Sequence, residues 1–258
     1  MIEKQLYKLS IKAQEEHYLL SSFIRDSKQF QKDLLKREGE LLQKFDDLPK
    51  ELPDDFILKV NVGDDNTKKS YELDKAMTEI IVGVMTKKNQ MTFKYENLIH
   101  IMTFIYSTAI FDALLIDLLK EILIQNENSM KSNKTLTIQK ILEHNNFESL
   151  KEHILNKELL EFGFKSFKDQ QKYFVDKFNF DFANSIEIFD GASEIIETRN
   201  VHVHNRGVIN SIYLENIKKT DFKFGDYRQI DEDYLEKSRD NLHYTINVLI
   251  EQSLEKFA

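Results

Sequence analysis

Within the last third of the chain, the run Arg199-Asn200-Val201-His202-Val203-His204-Asn205-Arg206-Gly207 brings guanidinium, imidazole and amide groups together. A guanidinium neutralises phosphate oxygens through its planar fork, and an imidazole exchanges a proton near neutral pH. That pair of functions can cleave a phosphodiester without a metal ion. On a helix advancing about 100° per residue, Phe189, Ala192, Ile196, Arg199 and Val203 form one stripe, so Arg199 stands inside an apolar seam. A cation there needs a partner or a wet interface. Either a buried acid such as Asp112 satisfies it, or it serves a function or a subunit contact.

The same wheel places His204 about 140° around from Arg199 and His202 closer. Asn205 and Gly207 signal the end of a helix, which would allow His204 to turn back toward the arginine. Local geometry therefore favours His202, and both histidines stay candidates. The alternative of His202 and His204 holding a metal with Glu194 or Glu197 is weak, because helical ligands favour four-residue spacing. The chain has no cysteine, and it shows no Gly-rich phosphate loop and no nucleophile elbow. Neither a metal nor a cofactor is expected.

The elements that must carry these residues read as helices. Two prolines, Pro49 and Pro53, and seven glycines leave little punctuation for a many-stranded sheet. Leu6, Leu9, Ala13, Leu20, Phe23, Phe30, Leu34 and Leu41 make a near-heptad series, which predicts a long helix or helical hairpin ended by the prolines. Phe56, Leu58, Val60 and Val62 alternate with polar residues before Gly63-Asp64-Asp65-Asn66, the pattern of a short strand entering a turn. Phe222 and Phe224 before Gly225-Asp226 share that habit. Helices are predicted over 71–87 and 93–125, the second apolar on nearly every face from Leu98 to Ile124 and hence central. Lys87-Lys88 and Lys131 with Lys134 read as solvated turns. Shorter helices follow over 138–144, 147–162 and 167–178, then the motif helix from about Asn184 and a final helix headed by Asp231, Glu232 and Asp233. The fold class is all-α, a helical bundle with an N-terminal helical extension and at most a short β-hairpin. The expected division is 1–92, an accessory segment, and 93–258, the helical domain.

Composition narrows the setting. A formal net charge of −8 argues against a protein that coats nucleic acid non-specifically, since that affinity comes from neutralising phosphates. A local positive site is still compatible with it, and Arg199 with Arg206 is the best candidate. Met1-Ile2-Glu3-Lys4-Gln5 lacks the basic and apolar regions of a secretory signal. The greasiest stretch, 99–111, is broken by His100 and followed by Asp112 and Asp117, so it is expected to fall short of a membrane span and to be a buried helix. A cytoplasmic protein with no membrane partner is expected.

Arg199-Asn200-x-x-x-His204-Asn205 resembles the R-x4-6-H motif of HEPN-domain ribonucleases, whose usual polar residue after the arginine is here Asn200. The likeness covers 97–257 and includes Phe111-Asp112-Ala113-Leu114-Leu115, Gly207-Val208-Ile209-Asn210, and Phe224-Gly225-Asp226 before the acid-capped last helix. It implies that Arg199 and His204 are the catalytic pair and that Asn200 orients the phosphate. His202, Asn205, Arg206 and Asp112 would complete a substrate-binding set. The implied reaction is attack by the RNA 2′-hydroxyl on its own phosphate, giving a 2′,3′-cyclic phosphate. The implied setting is a toxin or antiphage-defence effector, working as a homodimer with the site across its interface and with an antitoxin or defence-system protein as partner. Relatives paired with nucleotidyltransferases often carry a tyrosine two residues after the histidine; this chain has Arg206 there, so that modification switch is not expected. The rival reading is a non-catalytic HEPN-like dimerisation or partner-binding module, which the heptad-like N-terminal series favours.

Overall fold

Helices dominate because apolar residues recur at helical spacing and few residues interrupt them. The computed structural model describes residues 2–46, 52–62, 69–130, 135–217 and 220–257. Along the chain run α1 (Ile2–Asp46), β1 (Ile57–Val62), β2 (Lys69–Asp74), α2 (Lys75–Gln125), α3 (Ile138–Leu142), α4 (Phe147–Gly163), α5 (Phe167–Phe178), α6 (Ile186–Asn205), α7 (Ser211–Asn216) and α8 (Glu232–Phe257). Single 3₁₀ turns occupy Glu127–Met130 and Ala183–Ser185. The architecture is mostly helical with one β-hairpin, as the sequence patterning predicts.

Caps set the boundaries. The Ser166 hydroxyl accepts from the Asp169 N–H and donates to the Asp169 carboxylate at 2.7 Å, so α5 starts there; it stops on Asn179, which takes the left-handed conformation. Asn146 and Asn210 open α4 and α7 by accepting from the N–H of Ser149 and Tyr213. Asp231 opens α8 by accepting from the Tyr234 N–H at 2.8 Å.

Three expectations are corrected. Residues 71–74 belong to β2, antiparallel to β1, with Ile57 opposite Asp74 and Val62 opposite Lys69, rather than to a helix. Asp74 then starts α2 by accepting from the Met77 N–H at 2.8 Å. That helix runs on unbroken to Gln125, so Lys87 and Lys88 lie within it rather than in a turn. Residues 84–96 are polar but contain neither proline nor glycine, and polarity alone does not end a helix. Phe222 and Phe224 enter no strand. The backbone beside them pairs instead at one antiparallel bridge, Val208 with Tyr227. Pro49, the turn at 63–66, Lys131 and Lys134 lie outside the described residues.

The chain forms two compact units, 1–22 with 100–258 and 23–99, a division that differs from the one expected at 92/93. The reason is visible in α1. Leu6, Leu9, Ala13 and Leu20 are buried, whereas Phe23 and Phe30 are exposed; the side chains of Leu34 and Leu41 lie outside the described set. The smaller unit contains the hairpin, where Lys59 pairs with Glu72 across the strands at 3.0 Å and Lys75 reaches Asp54 at 2.8 Å.

In the larger unit the core is built on the C-terminal half of α2. Leu115, Leu118, Leu119, Ile122 and Leu123 are fully buried. Aromatic contacts tie it to its neighbours: Phe111 meets Phe167 of α5, and Phe104 meets Tyr234 of α8. Residues 97–125 are, among the described residues, the one segment long and apolar enough to cross a membrane by length and composition, a longer stretch than the 99–111 expected to fall short. Yet 44% of an apolar 18-residue stretch within it is buried inside the protein. Two of the segment's three acids are engaged in ion pairs, Asp117 with Lys12 of α1 at 2.8 Å and Asp112 with Arg199.

Because Leu6 has no exposed surface while Tyr7 beside it is 55% exposed, the two positions should respond differently to truncation. Leu6→Ala should lower unfolding stability in urea by about 2–5 kcal/mol, and Tyr7→Ala by under about 0.5 kcal/mol. Equal small effects would show that residues 2–22 are not part of the larger unit's core.

Candidate functional site

The run singled out in the sequence occupies the last two turns of α6. The helix is gripped on its buried face by Phe189, Ala192, Ile195, Ile196 and Val201, and its principal helical neighbour is α8. One carboxylate fixes its middle. Glu194 Oε1 accepts from Thr198 Oγ1 at 3.0 Å, from the Tyr213 hydroxyl at 2.8 Å and from the Arg228 guanidinium at 3.1 Å. Its Oε2 accepts from the Tyr234 hydroxyl at 2.7 Å. Burial and the Glu194 charge push the Tyr213 hydroxyl up to about 12 and the Tyr234 hydroxyl higher still, so both remain donors at any physiological pH.

Arg228 continues this network toward the motif. Its guanidinium lies over the Tyr234 ring at 3.8 Å and over Phe222 at 4.9 Å. Its backbone carbonyl accepts from His202 Nε2 at 2.7 Å. The His202 ring is wedged edge-on between Phe104 and Tyr227, and burial lowers its proton affinity. A neutral imidazole with Nε2–H donating to a carbonyl satisfies all of this. His202, though nearer to Arg199 around the helix, is occupied in holding the loop before α8.

The helix ends in two successive left-handed residues, Arg206 with φ 54° and Gly207 with φ 81°. The Gly207 N–H bonds to the Val201 carbonyl, and its own carbonyl accepts from the Arg228 N–H at 2.8 Å. A Cβ at Gly207 would come within 2.5 Å of the Tyr227 ring and 2.9 Å of His202 Cε1. Glycine is required there both for its conformation and for the approach of those rings.

Arg199 reaches from α6 toward α2, where its NH2 group pairs with Asp112 Oδ2 at 2.6 Å. Both side chains stay partly open, 25% and 35% exposed. Burial raises the proton affinity of Asp112, and the Arg199 charge and hydrogen bond counter it. Asn200 is half-buried, Asn205 donates its amide to the Val208 carbonyl, and Arg206 and His204 are exposed. The helix stays regular through Asn205, so His204 is not turned back: it remains about 140° around the axis from Arg199. Within one chain the two do not converge.

Family models, curated proteins and solved structures give no match to the chain. The site must therefore be judged on its own groups. Glu194 is consumed by four donors and Glu197 accepts the Asn216 amide at 2.8 Å, so neither joins the histidines. Among the described residues no group of three His, Cys, Asp or Glu could hold a metal ion. Sequence reasoning missed the Glu194, Arg228, Tyr213 and Tyr234 network. Its members lie 19 to 40 residues from Glu194, too far for helical periodicity to link them. The one local signal was Thr198, four residues after Glu194 on the same face.

The close packing around Gly207 generates a test. Gly207→Ala should cost at least about 2 kcal/mol, from left-handed strain and from displacement of Tyr227 and His202. Urea unfolding measures it, and a change under about 0.5 kcal/mol would mean that the loop yields freely. Glu194→Gln should cost about 2–4 kcal/mol, since it leaves the Arg228 cation without its counter-charge in a largely buried setting.

Proposed function

We propose that the chain is a metal-independent endoribonuclease of HEPN type, in which Arg199 neutralises the scissile phosphate and His204 transfers the proton. One observation carries the reading. Of the two motif histidines, only His204 presents an unengaged imidazole to solvent, on a helix whose position is fixed by the buried Glu194 network. A group that must meet substrate has to be exposed and held, and His204 satisfies both. Arg199, one quarter exposed and already ion-paired, can exchange one carboxylate oxygen of Asp112 for a phosphate oxygen. Asp112 then acts as the group that keeps the guanidinium extended, and Asn200 contributes its amide beside it.

The angular separation of Arg199 and His204 argues for two copies of the chain. In a twofold arrangement, His204 of one copy faces Arg199 of the other. Val203 lies between them on α6 and is 48% exposed, and Met102 and Tyr106 on α2 are exposed as well, so apolar surface is available to such a contact. The substrate is RNA, with the 2′-hydroxyl as nucleophile and a 2′,3′-cyclic phosphate and 5′-hydroxyl as products. The biological setting that fits is a toxin or antiphage-defence effector restrained by a partner protein.

A second reading rests on the Arg199–Asp112 pair itself. A guanidinium satisfied by a carboxylate at 2.6 Å can be structural, and the chain would then be a non-catalytic helical dimerisation or partner-binding module. Cleavage of total RNA by the purified protein separates the two. Arg199→Ala and His204→Ala should each lower the rate at least about a hundredfold with folding retained. Cleavage should persist in excess EDTA, stop on 2′-deoxy substitution at the scissile nucleotide and leave cyclic phosphate ends. Absence of cleavage by the wild type, or EDTA-sensitive cutting with 5′-phosphate ends, would overturn the ribonuclease reading. A fully active monomer in sedimentation would overturn the shared site.

A further inference from the structure

A second histidine cluster lies away from the α6 motif, where the N-terminal part of α1 meets α8. His17 and His243 stack with ring centroids 4.5 Å apart and planes inclined by 29°. They border a small, partly open cavity of about 30 Å³ whose lining also includes Glu16, Ser107, Phe111 and Arg239. The charged groups facing the stack are Glu16 from α1 and Arg239 and Asp240 from α8; α2 contributes only Ser107 and apolar side chains.

The stack holds together best with both rings neutral. The Asn247 amide N–H donates to His243 Nε2 at 3.1 Å, which requires a lone pair on that nitrogen. Asp240 is 3.7 Å from His17 Nε2 but is already hydrogen-bonded to Arg239 at 3.1 Å, so its charge is shared. His17 Nδ1 and Arg239 Nε are buried without partners. Burial pushes the proton affinity of both imidazoles down. For His17, the facing His243 and Arg239 act in the same direction and Asp240 opposes them; for His243, Asp240 opposes and Arg239 reinforces.

We infer that the His17–His243 stack is a proton-operated latch, whose double protonation frees residues 2–22 from α2 and α8. Two imidazolium ions stacked at 4.5 Å beside the Arg239 guanidinium would bring three cations against two acids, one of them already engaged. Separation of the rings relieves that repulsion and hydrates the two orphaned nitrogens. The segment that yields is α1, because α8 is tied elsewhere by Tyr234 to Glu194 and by Phe257 to Phe178. Among the described residues, the polar tie given by α1 to α2 is the solvent-open Lys12–Asp117 pair, which contributes little.

The direction follows from the lowered proton affinity of both rings. Their contribution to holding α1 is fully present above the unfolded histidine pKa of about 6.5 and is lost as pH falls through the lower folded values. With two protons taken up, the opening constant can rise up to about a hundredfold per pH unit. Opening uncovers the apolar floor of the cavity, Phe111, Leu114, Leu242 and Ile246.

Amide hydrogen exchange on the full chain at pH 7.5 and 5.0, corrected for the intrinsic exchange rate, tests the latch. In the wild type, residues 2–22 should lose at least tenfold protection at pH 5.0 while α6 keeps its own. The double variant His17→Phe with His243→Phe preserves a ring stack without titration and should lose this response. Asp240→Asn removes the charge that favours protonation in the closed state, and should move opening to higher pH. The latch is overturned if wild-type residues 2–22 are equally protected at both pH values, if the double variant still opens, or if α6 opens together with α1. Should the double variant fail to fold, His243→Phe alone should halve the steepness of opening with pH; an unchanged slope would overturn the latch equally.

Discussion

The Glu194 carboxylate is the point on which the larger unit's functional end depends. It draws one hydroxyl from its own helix, one from α7, one from α8 and a guanidinium from the loop between them. A partly buried carboxylate would be costly if left alone. Accepting four hydrogen bonds, three of them from neutral donors that do not ionise in its presence, offsets that cost and leaves every remaining proton directed. The consequence reaches the motif through Arg228, whose side chain serves Glu194 while its carbonyl holds His202. One partly buried charge thus fixes the axis of α6 and the imidazole orientation two turns further on.

Much of the architecture was legible because it rests on local chemistry. The bounds read for α5, 167–178, and the start read for α8 near Asp231 are those that local caps set. The break expected between 87 and 93 went with reading Lys87-Lys88 as a solvated turn, yet charge and polarity do not decide whether the backbone stays helical. Tyr71 to Asp74 were placed in a helix running to 87, and only pairing with β1 makes them a strand. The buried face of the first half of α1 was correctly read from Leu6, Leu9, Ala13 and Leu20, but nothing local shows that its partner lies a hundred residues away.

The candidate site was legible in its residue types and less so in its geometry. The wheel argument placed His202 close to Arg199 and was right about angle, but it could not foresee that Arg228 and two aromatic rings would claim that histidine. Asp112 was correctly named as an acid able to satisfy Arg199. The helix was expected to unwind early enough to return His204, whereas the terminating residues act one position too late.

Arg206 carries a further implication. It occupies a left-handed conformation that costs an ordinary side chain roughly 1 kcal/mol or more and that glycine or asparagine adopts far more easily. Its guanidinium is exposed, so nothing in the packing of the larger unit repays that strain. The position is thermodynamically suboptimal in a motif where Asn205 on one side and Gly207 on the other show that better-suited residues are available. Glycine or asparagine at residue 206 would hold the same backbone conformation at lower cost.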